Sequence, residues 1–202
     1  MSDTLMLWGE WLPTLLTGFY LSLQVAALSV FIGIPLGLAF ALGLGSTQKA
    51  TRVVALILIE IGRGGPVLIL MQFLYKGLPT AGLTLSSFAV SIVALSWSTG
   101  AYTSEIIRGG LNAVPAGQRE AARTLGLSPI DSLRIIILPQ ALRICIPPLL
   151  GFALVMLQAT SLCFTIALPE VVSVASDIGS ATFDYMSVLT LTGLLYAAVC
   201  VP

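Results

Sequence analysis

The stretch GQREAARTLGLSPIDSLRIIILPQAL, residues 117–142, concentrates charge in a chain in which only 9% of residues are charged and 57% are hydrophobic. Its first part, from Gln118 to Leu125, consists mostly of good helix formers and contains two adjacent alanines that leave a smooth surface. Gly126 follows, where a helix C-cap favours a residue able to adopt positive φ. The pattern predicts a short helix that ends in a tight turn.

A second helix is predicted directly after this turn. Ser128 suits the N-cap, Pro129 suits the first helical position, and Asp131 has a capping-box-like spacing from Ser128. Pro139 predicts a break or kink before the next apolar segment. We therefore expect two short helices that meet at a sharp angle. Such a pair fits a groove on another protein, although periodicity alone is equally compatible with a solvated amphipathic loop.

The rest of the chain has the composition of a membrane protein. Mean hydropathy is +1.02, and the hydrophobic fraction exceeds the about 45–50% that is usual for soluble domains. A transmembrane helix needs about 20 apolar residues, and lipid leaves backbone polar groups no partner outside a helix. We predict an all-α membrane protein with about five transmembrane helices, at approximately residues 12–44, 53–75, 85–107, 141–168 and from 186 onward.

The distribution of charge predicts the orientation of these spans. Basic residues gather in the loops after the first and third spans, whereas acidic residues dominate the opposite side, where Lys76 is the only cation. By the positive-inside rule, the N-terminus lies outside and residues 117–142 lie in the cytoplasm. The basic set comprises Lys49, Arg52, Arg108, Arg119, Arg123, Arg134 and Arg143, and the acidic set comprises Asp3, Glu10, Glu170, Asp177 and Asp184.

The two ends of the chain carry different signals. The N-terminus has no basic segment before its first apolar span, so we expect that span to be retained rather than cleaved. The fifth span reaches only Pro202, which is short for a crossing, so we expect the natural chain to continue. Gly33 and Gly37 form a small-xxx-small pattern that predicts close packing of a neighbouring helix.

Ionisable residues within spans are costly and usually face a bundle interior or an aqueous path. Glu60 and Arg63 share a helix face at a spacing of three, and Glu105 and Arg108 repeat that spacing. A structural ion pair is the favoured interpretation of Glu60 and Arg63, and a role for Arg63 in contacting a solute carboxylate is the alternative. Polar residues on the third and fourth spans add a candidate solute path or hydrogen bonds between helices, and they include Ser98, Tyr102, Gln158, Thr160 and Ser161.

The sequence lacks the residues that several kinds of chemistry require. The sequence contains no histidine, its three cysteines show no CxxC spacing, and no G-x-x-x-x-G-K-[ST] phosphate loop occurs. We therefore expect no catalytic residue, no metal site, and no cofactor bound by this chain. We also expect no nucleic-acid partner.

The charged stretch also carries a family resemblance. Glu120-Ala121-Ala122, three residues, Gly126, nine residues, and then Ile136-x-Leu138-Pro139 resemble the EAA motif of ABC importer permeases. Ala101-Tyr102-x-x-Glu105 and Val114-Pro115-x-Gly117-Gln118 are similar to permeases for polar amino acids. Similar segments recur at Leu138–Arg143, Thr160–Leu162 and Pro169–Glu170, so the resemblance covers nearly the whole chain.

The resemblance implies a type I ABC importer permease: residues 1–202 form one transmembrane domain, with a coupling loop at about 109–140. It implies two ATPases that use ATP and Mg, a second permease subunit (identical or a sister chain), and an extracytoplasmic solute-binding protein in a bacterial inner membrane. The solute would be a polar amino acid or an amino-acid-like molecule such as an opine. The residues implied in coupling to the ATPase are Gln118, Glu120, Ala121, Ala122, Gly126, Leu138 and Pro139.

Two departures from the family pattern concern substrate choice. Gln158-Ala159 stands where a lysine followed by Asp or Asn is usual before Thr-Ser-Leu, and Gly65 stands where the family usually has Thr in Arg-Gly-Thr-Pro. Both lie in membrane segments, and both fit a heterodimer with a divergent subunit. By family analogy, the helix predicted from Pro169-Glu170 to about Ala181 would belong to an external gate.

Two other functions are weighed against transport. A passive channel or pore-forming oligomer would need a repeated selectivity lining, and the sequence has no glycine-rich filter or charge ring. An intramembrane enzyme would need metal ligands, a serine–lysine pair or paired aspartates within the spans. The leading hypothesis is an ATP-driven transport subunit without covalent chemistry of its own.

Overall fold

The computed structural model describes the backbone of residues 2–201 and the side chains of residues 6–201, so the side chain of Asp3, in the predicted outer acidic set, lies outside it. The described chain is helical, without strands. Its α-helices are α1 (Ser2–Leu44), α2 (Lys49–Arg63), α3 (Val67–Gln72), α4 (Ser87–Ala113), α5 (Ala116–Thr124), α6 (Pro129–Asp131), α7 (Leu138–Ala159), α8 (Val171–Thr182) and α9 (Tyr185–Cys200).

The five predicted spans correspond to α1, the α2–α3 pair, α4, α7 and α9. Among the described residues, Met6–Leu44 and Pro129–Ile166 are long and apolar enough to cross a membrane alone, and the α2–α3 pair adds a third crossing if it counts as one span. Helix α4 is made less apolar by serines and threonines such as Ser96, Ser98 and Thr103, and α9 has only 16 residues. Length and hydropathy alone therefore do not identify these two helices as spans.

The second predicted span is not one straight helix, so that part of the prediction was wrong. Helix α2 and the helical segment Val67–Ala81 meet at an angle of 96°. The bend falls at Gly64-Gly65-Pro66, where a proline cannot continue the backbone hydrogen bonds of α2. A Cβ on Gly64 would overlap the Glu60 carbonyl oxygen, so this turn has no room for a side chain there.

The helical run continues through Pro139, so of the break or kink predicted from the sequence, the break was wrong. Residues Pro129–Ile166 form one helical run in which a π-helical segment, Ser132–Ile137, joins α6 to α7. The wider π turn precedes the proline, whose ring would clash with a carbonyl one regular turn earlier. A 3₁₀ segment, Thr160–Ile166, ends the run.

Contacts divide the chain into two compact units. The outer-loop unit comprises Met1–Val30, Pro66–Leu95 and Ala153–Pro202, and the hairpin unit comprises Phe31–Gly65 and Ser96–Phe152. The outer-loop unit has a core in which α1 packs against α8 and α9, formed by Trp11, Leu15, Phe19, Val171, Ala175, Val188 and Leu191.

The close helix contact predicted from Gly33 and Gly37 of α1 is confirmed in the hairpin unit, where these glycines pack against α4. A Cβ on Gly33 would overlap the Thr99 side chain, and a Cβ on Gly37 would overlap the Thr103 hydroxyl oxygen. Only glycine leaves room at both positions, so α1 and α4 approach closely. The predicted neighbour is therefore another helix of the same chain.

Candidate functional site

The turn predicted at Gly126 forms a complete Schellman motif at the end of α5. Gly126 has a φ of +72°, its N–H donates to the Arg123 carbonyl over 3.0 Å, and the Leu127 N–H donates to the Ala122 carbonyl over 3.1 Å. These bonds satisfy carbonyl groups that the end of a helix otherwise leaves unpaired. The prediction of a positive φ at Gly126 is confirmed.

The next helix begins with the predicted cap. The Ser128 hydroxyl oxygen accepts a hydrogen bond from the Asp131 N–H over 3.1 Å, and the hydroxyl donates to the Asp131 carboxylate over 2.6 Å. A capping box would instead direct the Asp131 carboxylate to the Ser128 backbone N–H. The cap thus fixes the start of α6 shortly after α5 has ended in its turn.

The coupling hairpin, which we define as residues 116–137, is fastened to the ends of α4 and α7. Arg119 donates from its Nη2 to the Leu111 carbonyl over 2.7 Å. The Gln140 amide donates to the Gln118 amide oxygen over 3.5 Å. An apolar cluster beneath it includes Leu111, Val114, Ile137 and Ala141. The hairpin is therefore a rigid projection of its unit.

The motif residues divide into two groups by exposure. Ala122 is buried, and Leu138 packs against the apolar cluster beneath the hairpin, so these two hold the hairpin in place. The remaining motif side chains and Gly126 lie on the exposed surface, and they are Gln118, Glu120, Ala121, Gly126 and Pro139. Only the exposed group is placed to contact another protein directly.

The intramembrane charges form one connected chain of ion pairs in the hairpin unit. Arg63 contacts the Glu60 carboxylate at 2.7 Å within α2, and it contacts the Glu105 carboxylate of α4 at 3.3 Å. Arg108 in turn donates to the Glu105 carboxylate from its Nε over 3.1 Å. The sequence predicted the two pairs within helices. The Arg63–Glu105 contact between helices was missed, because no sequence spacing relates α2 to α4.

The other predicted solute-path residues are distributed over both units. In the hairpin unit, Ser98 is buried, and Tyr102 is half exposed with its ring 5.7 Å from that of Phe152. In the outer-loop unit, the Ser161 hydroxyl donates to the Gln158 carbonyl, and the Gln158 side chain is exposed.

Thr160 in the outer-loop unit is buried, and its hydroxyl donates to the Leu157 carbonyl over 2.6 Å. Thr160 and Ser161 each bond to their own helical segment, and the Thr160 hydroxyl also lies 3.5 Å from the Tyr196 hydroxyl of α9. Of these contacts, the one between Thr160 and Tyr196 joins two helices, which is the alternative to a solute path that the sequence leaves open, and the Gln158 side chain is exposed.

Glu170 is a buried carboxylate whose burial the sequence did not reveal. It is 0% exposed, and it caps α8 by accepting from the Val172 and Ser173 N–H groups, each over 3.0 Å. The Ser22 hydroxyl of α1 donates to it over 3.3 Å. Burial raises the pKa of the Glu170 carboxyl to about 7, although the hydrogen bonds from Val172, Ser173 and Ser22 act to lower it.

Comparison with known protein families identifies the class of protein. Residues 33–202 match the family described as "Binding-protein-dependent transport system inner membrane component". The chain belongs to this family. It is thus an inner-membrane transport component, and the predicted permease class is confirmed.

Relatives of this chain are named as amino-acid permeases. The chain is 37% identical to the probable amino-acid ABC transporter permease protein YckA of Bacillus subtilis, over 95% of this chain and 84% of the relative. It is 34% identical to the histidine/lysine/arginine/ornithine transport system permease protein HisM of Escherichia coli, over 91% of this chain and 81% of that protein.

Solved structures support the same fold. A crystal structure of an amino acid ABC transporter with histidines matches with a TM-score of 0.91 and 32% identity, over 97% of this chain and 92% of the other. The MetNI methionine ABC transporter in an inward-facing conformation matches with a TM-score of 0.74 at 18% identity, over 92% and 89% of the two chains, which shows the fold alone.

Proposed function

We propose that this chain is the membrane-spanning subunit of an ATP-driven importer for a polar amino acid or an amino-acid-like solute. Relatives at 34–37% identity over most of the chain are named as amino-acid permeases, which supports the solute class. The rigid hairpin with its exposed motif residues carries the proposal, because an ATP-driven transport subunit whose sequence has no phosphate loop must receive the work of ATP hydrolysis through such a contact.

The proposed complex contains two ATPase subunits, a second permease subunit and an extracytoplasmic solute-binding protein. ATP and Mg bind at the ATPases, and this chain binds no cofactor itself. Its N-terminus lies outside and the hairpin lies in the cytoplasm, as the basic loop residues favour. Lipid surrounds the complex, because large apolar side chains such as Phe31 and Leu150 are exposed.

In the proposed mechanism, the exposed face of the hairpin docks into a cleft of the ATPase. When ATP binding draws the two ATPases together, each hairpin moves with its ATPase. The Arg119–Leu111 bond transmits that movement to α4, because it fastens the hairpin to the end of that helix, and the Schellman turn holds α5 and α6 in a fixed relation within the hairpin. The membrane helices then rock and open a path for the solute to the cytoplasm.

The solute path is proposed to use polar groups that occur in each unit. Candidates are Ser98 and Tyr102 in the hairpin unit and Gln158, Thr160 and Ser161 in the outer-loop unit, with Glu60 and Arg63 as alternative candidates whose favoured role is the ion pair. A zwitterionic solute needs hydrogen-bonding groups of this kind as it leaves water.

The role of Arg63 separates a structural ion pair from a solute contact. Because Arg63 lies between two carboxylates, we expect Arg63→Gln to destabilise the protein by about 1 kcal/mol, as a third to half of each side chain is exposed. Adding Glu60→Gln and Glu105→Gln to Arg63→Gln should restore the melting temperature of the wild type. The KM for uptake of the Arg63→Gln variant should stay within about twofold of the wild-type value. A large rise in KM without rescue in the triple variant would assign Arg63 to the solute instead.

The first test of the proposed function is purification of the tagged chain from its native host in mild detergent, followed by mass spectrometry. We expect an ATPase to co-purify, and the presence or absence of a sister permease distinguishes a heterodimer from a homodimer. A homo-oligomer recovered in good yield without any nucleotide-binding protein would support the passive channel instead.

A further inference from the structure

A cavity of about 880 Å³ opens in the hairpin unit, where α1 ends and the coupling hairpin begins. Its volume falls in the range of about 300–1,000 Å³ that is typical of ligand sites. The wall combines residues from the ends of α1 and α4 with residues of α2 and the hairpin. None of the solute-path candidates lines this cavity, but it shares Arg119 and Leu111 with the bond that fastens the hairpin to α4.

The lining carries one net positive charge. Arg108, Arg119 and Glu105 are its ionisable groups, and Glu105 is ion-paired with Arg108. Arg119 keeps the second positive charge. Because Arg119 donates from its Nη2 to the Leu111 carbonyl, its guanidinium is held in place while its other N–H groups stay available.

The remaining lining is amphipathic. Asn112 contributes an amide, Ser46 contributes a hydroxyl, and Leu42, Leu44 and Leu56 contribute apolar surface. Leu44 is the last residue of the apolar helix α1, so the cavity lies at the end of a membrane span. A wholly water-soluble anion would gain nothing from the leucine side chains, whereas a molecule with a charged head and an apolar body can contact both surfaces.

We propose that this cavity binds the headgroup of an anionic phospholipid from the cytoplasmic leaflet. A phosphodiester carries one negative charge, which matches the net charge of the lining, and a guanidinium binds phosphate oxygens through charge-assisted hydrogen bonds. Basic pockets between helices at the cytoplasmic side of a membrane suit such headgroups. The proposal rests on the proposed orientation of the chain, with the hairpin in the cytoplasm. A bound lipid would join the end of α1 to the coupling hairpin.

The test uses the full chain together with the subunits that co-purify with it, reconstituted into nanodiscs that contain phosphatidylglycerol and phosphatidylethanolamine. After gentle release in detergent, native mass spectrometry counts the phospholipids that remain bound. Arg119→Gln removes the available charge, Arg119→Lys keeps it, and Arg134→Gln is the control, because Arg134 is exposed on the same hairpin without lining the cavity.

We expect the wild type to retain phosphatidylglycerol preferentially, Arg119→Gln to reduce that retention about fivefold, and Arg119→Lys and Arg134→Gln to retain most of it. Equal retention by the Arg119→Gln variant and the wild type would overturn the proposal. Displacement of the lipid by millimolar inorganic phosphate would also overturn it, since the site would then select free phosphate. Because these readouts do not depend on uptake, a failed lipid site would leave the transport proposal intact. A failed orientation would appear as labelling, from outside the cell, of a cysteine introduced into the hairpin, which has no cysteine of its own.

Discussion

Gly126→Asp is expected to abolish solute uptake while the chain remains in the membrane at close to its normal level. A Cβ at this position would meet no atom within 4 Å, so the substitution causes no clash. The φ of +72° costs a non-glycine residue about 1–2 kcal/mol, and aspartate tolerates this region better than most residues. The new carboxylate would project from the surface that we propose to dock into the ATPase, where a misplaced charge costs several kcal/mol.

Uptake of a labelled amino acid, membrane content by immunoblot, and co-purification of the ATPase measure the three parts of this prediction. Gly109→Asp is the matched control: Gly109 also has open space around it, but it lies on α4 outside the coupling hairpin. We expect the control to keep uptake within about twofold, and Gly126→Asp to lose more than about tenfold. Full uptake in Gly126→Asp would show that the hairpin is not the coupling surface.

The hairpin could be predicted from sequence because its determinants are local. A positive φ at Gly126 and a serine cap at Ser128 involve residues within five positions of each other, so both appear directly in the order of residues. Burial of Ala122 could not be predicted in the same way. Of two neighbouring alanines of α5, only one is buried, and that choice depends on how α5 is fastened to the ends of α4 and α7.

The bend after α2 and the π segment before α7 both lie close to a proline, and the sequence did not predict either backbone geometry. The sequence predicts one continuous span across Gly64-Gly65-Pro66, whereas the chain turns by 96° there. Pro139 predicts a break or kink, whereas the helix continues through it after widening at Ser132–Ile137. A proline shows that a regular helix cannot continue unchanged, but it does not determine whether the chain bends or changes its helical pitch.

The other features that the sequence did not predict depend on contacts between segments that are distant in the chain. The sequence revealed the pairs Glu60–Arg63 and Glu105–Arg108, and it gave no sign that Arg63 also reaches Glu105 on another helix. Glu170 was recognised as suited to a helix N-terminus. Its complete burial against Ser22, 148 residues earlier in the chain, depends on the packing of α1 against α8, which only the folded structure shows.

Glu170→Ala is expected to cause a large loss of stability. The substitution leaves the Val172 and Ser173 N–H groups and the Ser22 hydroxyl without their carboxylate partner. Loss of a helix cap together with unsatisfied buried donors should cost about 3 kcal/mol, which corresponds to about 10 °C in melting temperature for a chain of this size. Thermal melting in mild detergent measures the loss. Asp177→Ala is the control, because Asp177 is exposed on the same helix and should shift the melting temperature by less than about 2 °C.

Glu170→Gln is expected to remove a pH dependence that the wild type possesses. Burial raises the pKa of the Glu170 carboxyl from its ordinary 4.5 to about 7, so the folded protein binds a proton that the unfolded chain releases. The stability that this group contributes is therefore complete below about pH 4.5, and it is lost as the pH rises to about 7. The Gln variant does not titrate, so its melting temperature should gain on that of the wild type over this interval and run parallel to it at higher pH. If the difference between the two proteins stayed constant across the interval, the pKa of the Glu170 carboxyl in the folded protein would equal its ordinary value, and burial would not outweigh the three hydrogen bonds that lower it.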